Sequence, residues 1–208
     1  MKAEQEYIKD ITAIRSMMER STRFLSLTGW SGIMAGIYAL IGAYLAYANF
    51  YTTPEGTVYG TLNPEQFSGS ILNLILLALA ILVLALGTAV FLSSRKSTEK
   101  GEKLWNPAAR RLILNMAIPL VTGGIFILIL ILKGLLDLMA PLTLIFYGLA
   151  LINASKFTYE ELKYLGLIEI VLGLTASQFT AYGIFLWATG FGVMHIVYGI
   201  YMYLKLEK

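Results

Sequence analysis

The sequence has no cysteine and a single histidine, and only 14% of its 208 residues are charged. Without cysteine there can be no disulfide, thiolate metal site, iron–sulfur cluster or thiol nucleophile. One imidazole is too few for the several His and carboxylate ligands used by zinc proteases and non-haem iron oxygenases. His195 with Met194, Met34 or Met202 is a thin basis for haem, because Met in apolar helices serves mainly as filler and no c-type attachment motif is present. No G-x-S-x-G marks a serine nucleophile, no Gly-rich loop suits a phosphate, and the basic segments lack the interleaved aromatics of nucleic-acid surfaces. No cofactor, metal or nucleic-acid partner is expected, and the residues point away from an enzyme.

What the chain has in abundance is apolar surface. It is 57% hydrophobic, with a mean hydropathy of +0.69, outside the range of an ordinary soluble domain. Long uncharged runs fill most of its length and predict an all-α polytopic membrane protein. Six transmembrane helices follow an N-terminal amphipathic helix, and the bilayer is the surrounding partner. The spans fall at about 29–50, 69–92, 112–132, 135–155, 160–177 and 181–204, so residues 29–205 form one membrane domain. The first apolar run begins only near Gly29, after a mixed-charge segment, and continues too long for a signal-peptide core, so the first span is expected to be retained.

Residues 1–28 read as a cytoplasmic or interfacial segment, helical over 4–28. Ile8, Ile11, Ile14, Met18 and Leu25 recur at helical spacing, and charged residues fill the positions between. In the first span Gly32-x-x-x-Gly36 is a close-approach motif for a neighbouring helix. The stretch 52–68 contains Pro54, Gly56, Gly60 and Pro64 without Lys or Arg and reads as a loop, as does the charged stretch 93–111. At the end of the latter, Asn106-Pro107 is a helix-start signal. The third span carries Asn115, Pro119, Gly123 and Gly124. A kink is the simpler reading there, and a broken helix lining a binding site the sharper one. Lys133-Gly134 predicts a tight hairpin, and Asp137 just beyond reads as a helix cap at the interface.

Alternation of the spans places 15 of the 16 Lys and Arg residues on one side, all but Lys133. The positive-inside rule makes that side cytoplasmic, with both termini on it. A cytoplasmic protein partner would find its docking surface in residues 1–24 or 93–111. No internal repeat is visible, and the sequence does not specify an oligomeric state.

Two ionisable residues lie inside predicted spans. Glu169 sits in Gly166-x-x-Glu169-x-x-x-Gly173, and His195 in the same frame, Gly192-x-x-His195-x-x-x-Gly199. Each glycine shares a helix face with its ionisable neighbour and lets another backbone come close. Counting from the charged ends of their helices, both lie at a depth of about 12 to 13 Å from the same side. An ionisable group within a span costs about 2.5 to 3.5 kcal/mol on insertion scales and suggests function. The two are predicted to meet, as a site for a proton or small amphiphilic ligand, with Asn115, Pro119 and Tyr198 the residues most able to flank it. The alternative is a polar clasp in a non-catalytic membrane scaffold or sensor.

Three segments, Arg15-Ser-Met-Met-Glu-Arg-Ser-Thr-Arg-Phe24, Ser31-Gly-Ile-Met-Ala-Gly-Ile-Tyr38 and Gly192-Val-Met-His-Ile-Val-Tyr-Gly199, resemble a family of small bacterial multi-pass membrane proteins without an established activity. The resemblance implies a six-helix protein of the bacterial inner membrane and assigns no functional residue.

Overall fold

The computed structural model describes residue 11 and residues 23–50, 64–101 and 103–206. The described residues are mostly helical and contain no strand. In chain order the helices are α1 (Gly29–Phe50), α2 (Pro64–Glu99), α3 (Pro107–Leu132), α4 (Met139–Ser155), α5 (Leu162–Gln178) and α6 (183–206). Short 3-10 turns, Leu136–Leu138 and Thr180–Tyr182, lead into α4 and α6. Within α6, α-helical Gly183–Trp187 gives way to a π-helical stretch, Ala188–Met194, before α-helical His195–Leu206.

Among the described residues five stretches are long and apolar enough to cross a membrane: Gly29–Asn49, Leu72–Glu99, Pro107–Leu132, Leu136–Ser155 and Thr180–Lys205. With α5, this is the fold of a helical membrane protein. The 17 residues of α5 reach only about 26 Å, somewhat less than the hydrocarbon thickness of about 30 Å. It is also the helix most fully engaged with a neighbour, lying antiparallel along α4.

Local signals account for most helix ends. Thr28 caps α1 through its hydroxyl, which accepts the Ser31 N–H at 3.2 Å. The Asn106 side chain accepts from Ala109 N at 2.8 Å, with Pro107 at the first helical position. The α3–α4 hairpin turns on Gly134 at φ 72°, a backbone region that glycine enters without strain. There the N–H groups of Gly134 and Leu135 satisfy the carbonyls of Ile131 and Leu130. The expected 93–111 loop is shorter than the sequence suggests: α2 continues through Glu99 because no breaker intervenes before Gly101, at φ 68°. Residues 64–68, expected to belong to the preceding loop, are helical instead, since Pro64 opens α2.

Most of the expected N-terminal amphipathic helix lies outside the described residues, but residues 23–28 correct its C-terminal end. They are not helical. Their backbone groups bond elsewhere: Phe24 N to Phe157 O at 2.7 Å, Phe24 O from the Thr158 hydroxyl at 2.6 Å, and Leu25 O from the Tyr159 hydroxyl at 2.8 Å. Lys96 and Lys100 from the end of α2 donate to Leu27 O and Leu25 O. Residues 23–28 thus form a strap from which Phe24 inserts among Ala108, Leu112, Leu151, Ala154 and Leu162. Beside it, Arg23 pairs with Glu160 at 2.8 Å and Lys205 with Glu161. The Lys205 hydrogen bond holds the Glu161 carboxyl below its ordinary range.

Two helix pairs form the centre of the bundle, and they use the same contact. In the α4–α5 pair a Cβ built on Gly148 would lie 2.5 Å from Gly166 O and 3.0 Å from Ile170 N. One built on Gly166 would lie 2.7 Å from Gly148 O and 3.1 Å from Ile152 N. Further along, a Cβ built on Gly173 would lie 2.8 Å from Pro141 O. In the α1–α6 pair Gly199 stands in the same relation to Gly29 O (2.7 Å) and Ile33 N (2.6 Å), and Gly36 to Gly192 O (2.6 Å) and Ile196 N (3.0 Å). The sequence lacks a visible repeat because only the glycines and their spacing recur. In contrast α2 leans on α1 and α3 on α4, and both leave large apolar side chains exposed.

Candidate functional site

Glu169 and His195 occupy equivalent places in these two pairs, Glu169 between Gly166 and Gly173 and His195 between Gly192 and Gly199. The glycines draw backbones together and bury the side chains between them. Glu169 is fully buried and His195 nearly so. Its Nδ1 lies 3.4 Å from Glu169 Oε1.

The π-helical stretch sets this geometry. A π turn carries an extra residue and often marks a functional position in an otherwise regular helix. Here the backbone N–H of His195 bonds Gly192 O, while Gly190 O lies 3.0 Å from the imidazole Nδ1. A carbonyl oxygen only accepts, so Nδ1 carries the proton. In the neutral ring Nε2 is then an acceptor, and it receives the Tyr147 hydroxyl from α4 at 2.9 Å. Rings enclose the imidazole: Phe191 stacks on it at 5.8 Å and 12°, Tyr147 lies at 5.4 Å, and Trp187 continues the column beyond Phe191 at 4.8 Å.

Glu169 is less well served. Neither carboxyl oxygen has a hydrogen-bond partner among the described residues. Oε2 packs against Gly190, where a Cβ would collide with it and would lie 2.7 Å from Leu144 Cδ2. At 3.4 Å the nearest imidazole nitrogen makes no hydrogen bond to it, and the ring offsets a carboxylate charge only when protonated. The pair is neutral overall when it holds one exchangeable proton, on the Glu169 carboxyl or on Nε2. Losing that proton leaves an unbalanced charge in a low-dielectric interior, which is the costly state. Tyr147 O–H is the group in position to exchange a proton with Nε2.

The structure does not gather the other sequence candidates here. Asn115 donates to Arg111 O of its own helix at 2.8 Å. Pro119 is buried within α3, which runs unbroken from Pro107 to Leu132 and packs chiefly on α4. Tyr198 packs on the Phe24 cluster and makes no hydrogen bond to the imidazole. Tyr147 and Gly190 went unpredicted. A hydroxyl in mid-span without a polar neighbour in sequence is a signal for Tyr147, since buried phenols find partners. Gly190, two residues before Gly192, carries no such mark. Among the described residues no three His, Asp or Glu side chains converge as metal ligands would.

Fold and site together define a helical membrane protein with a buried carboxyl–imidazole–phenol cluster. No protein-family model matches the chain, and no match was found among the curated proteins or the solved structures.

Proposed function

We propose that this chain is an integral protein of the bacterial inner membrane, with both termini cytoplasmic, whose bundle holds an exchangeable proton at Glu169, His195 and Tyr147. Location and orientation rest on the Lys and Arg distribution and on the resemblance to small bacterial multi-pass proteins. The observation that carries the proton reading is the fully buried Glu169 carboxyl, without a hydrogen bond and 3.4 Å from an imidazole that is itself fully bonded. A helix clasp selected for stability would satisfy the carboxyl oxygens, because interhelical bonds in membranes contribute only about 0.6 kcal/mol each even when well made. A proton-exchanging group instead needs a site that is not locked by donors. Such a site suits coupling proton exchange to the binding of a small amphiphilic molecule.

Infrared difference spectroscopy on the protein in lipid nanodiscs tests this. A pH step should produce a carboxyl C=O band that vanishes in Glu169→Gln and changes its pH response in His195→Asn, with both variants folded. Identical spectra from wild type and Glu169→Gln would reduce the pair to a clasp. The scaffold reading, with 1–24 or 93–111 receiving a cytoplasmic partner, would then take its place.

A further inference from the structure

Asp137 was expected to cap a helix and does not. Neither the 3-10 turn Leu136–Leu138 nor α4 has a side-chain cap bond. Among the described residues Asp137 also makes no ion pair. It instead lines a cavity of about 180 Å³ at the end of the bundle away from the 23–28 strap. The walls include Ala43 and Ala46 of α1, Leu77 of α2, Ala140 at the start of α4, and Trp187 of α6. The cavity is partly open, since Ala78 and Asp137 at its edge are exposed.

Apart from Asp137, Thr143 and Thr180 the lining is apolar, and it includes no Lys, Arg or His. The Thr143 hydroxyl is already committed to Ala140 O at 2.7 Å. The cavity therefore presents one uncompensated negative charge, one indole and apolar walls. A lipid tail would leave Asp137 unpaired, and an anionic headgroup would be repelled by it. A compact organic cation answers all three features: its charge balances Asp137, its bulk fills the apolar space, and its positive face suits Trp187.

We propose that this cavity binds a small lipophilic organic cation, a quaternary or protonated amine bearing an apolar group, with Asp137 as its counter-ion and Trp187 as its aromatic wall. The site is separate from the Glu169–His195 pair and does not depend on the proton reading. Its polar contact faces the side of the membrane opposite the basic segments, so the ligand would enter from there or from the adjoining bilayer.

The test uses the full chain in nanodiscs with Trp30→Phe and Trp105→Phe, which leaves Trp187 as the only tryptophan. Three probes of similar shape are compared: phenyltrimethylammonium, neutral tert-butylbenzene and benzenesulfonate. Phenyltrimethylammonium should change Trp187 emission saturably, whereas the other two should not at the same concentrations. Asp137→Asn should weaken the cation by about ten-fold or more, and Glu99→Gln, at the far end of α2, should leave it unchanged. Ala140→Phe, which fills the cavity while keeping Asp137, should abolish the response and provides a second arm if Asp137→Asn fails to fold. Equal binding of benzenesulfonate or tert-butylbenzene, or undiminished cation binding by Asp137→Asn or Ala140→Phe, would overturn the proposal.

Discussion

Gly190 and Glu169 share one space: the place a methyl group would take on Gly190 is occupied by the Glu169 carboxyl oxygen Oε2. The glycine is thus what admits the carboxyl to the centre of the bundle. Gly190→Ala is expected to destabilise the protein by about 1 to 3 kcal/mol through overpacking. The double variant Gly190→Ala with Glu169→Ala should recover part of that loss, as a double-mutant cycle on denaturant unfolding would measure. Strict additivity of the two changes would argue against the shared space.

Tyr147→Phe removes the hydroxyl that faces His195 Nε2 and changes nothing else in size. The stability cost should be modest, about 0.6 kcal/mol by the average for polar contacts in membranes. The larger effect should be on proton exchange at Nε2, read as slower exchange at that nitrogen in nuclear magnetic resonance line shapes. A loss of several kcal/mol without a change in exchange would mark Tyr147 as a packing residue only.

Glycines separate into two groups by what surrounds them. Gly148→Ala would place a methyl 2.5 Å from the Gly166 carbonyl, and backbone on both helices would have to shift. A loss of about 1 to 3 kcal/mol is expected, with α4 and α5 moving apart. Gly87 and Gly124 face open space. Alanine there should be neutral or stabilising by up to about 1 kcal/mol, because glycine in a helix interior is the weaker helix former. Thermal unfolding of the three variants side by side distinguishes the groups.

Phe24 anchors the strap by burying its ring among residues of α3, α4 and α5. Phe24→Ala should cost about 3 to 5 kcal/mol, the usual range for emptying a packed aromatic site. Limited proteolysis should find new cleavage between 23 and 28 in that variant at temperatures where wild type resists. Wild-type resistance in the variant would show that the backbone bonds to Phe157, Thr158 and Tyr159 hold the strap alone.

Acid should weaken the contact between the start of α5 and the end of α6. The folded Glu161 carboxyl is held below its ordinary range by Lys205. Its contribution is therefore fully present above the ordinary carboxyl range and is lost as pH falls through the depressed folded value. Both partners keep contact with solvent, which screens the pair, so the effect is small. The drop in Tm between about pH 7 and about pH 3 should be slightly smaller in Glu161→Gln than in wild type. A larger drop in the variant would give the contact the opposite sign.

Long apolar runs made the helical membrane fold legible in advance, and Asn106-Pro107 and Lys133-Gly134 marked their turns by chemistry that acts within a few residues. The common glycine frame around Glu169 and His195 was also readable, because spacing along a helix fixes a face. What stayed hidden depends on contacts distant in sequence. Phe24 leaves the helical pattern because Phe157, Thr158 and Tyr159, far along the chain, take its hydrogen bonds. The π-helical stretch at Ala188–Met194 packs against both α1 and α5, contacts that no local propensity announces. Asp137 had the position of a cap by sequence, yet the tight turn after Gly134 leaves its carboxyl in the cavity wall instead.

His195 is the only histidine in the chain, so protein labelled with 15N-histidine gives one imidazole to observe. Solid-state nuclear magnetic resonance in lipid at neutral pH, repeated on Glu169→Gln, tests the coupling of the buried pair most directly. The expected wild-type spectrum has a protonated Nδ1 and, in the neutral ring, a bare Nε2 accepting from Tyr147, with both resonances displaced and their pH response altered in Glu169→Gln. A ring protonated at Nε2 alone, or spectra indifferent to Glu169→Gln across the pH range, would contradict the account.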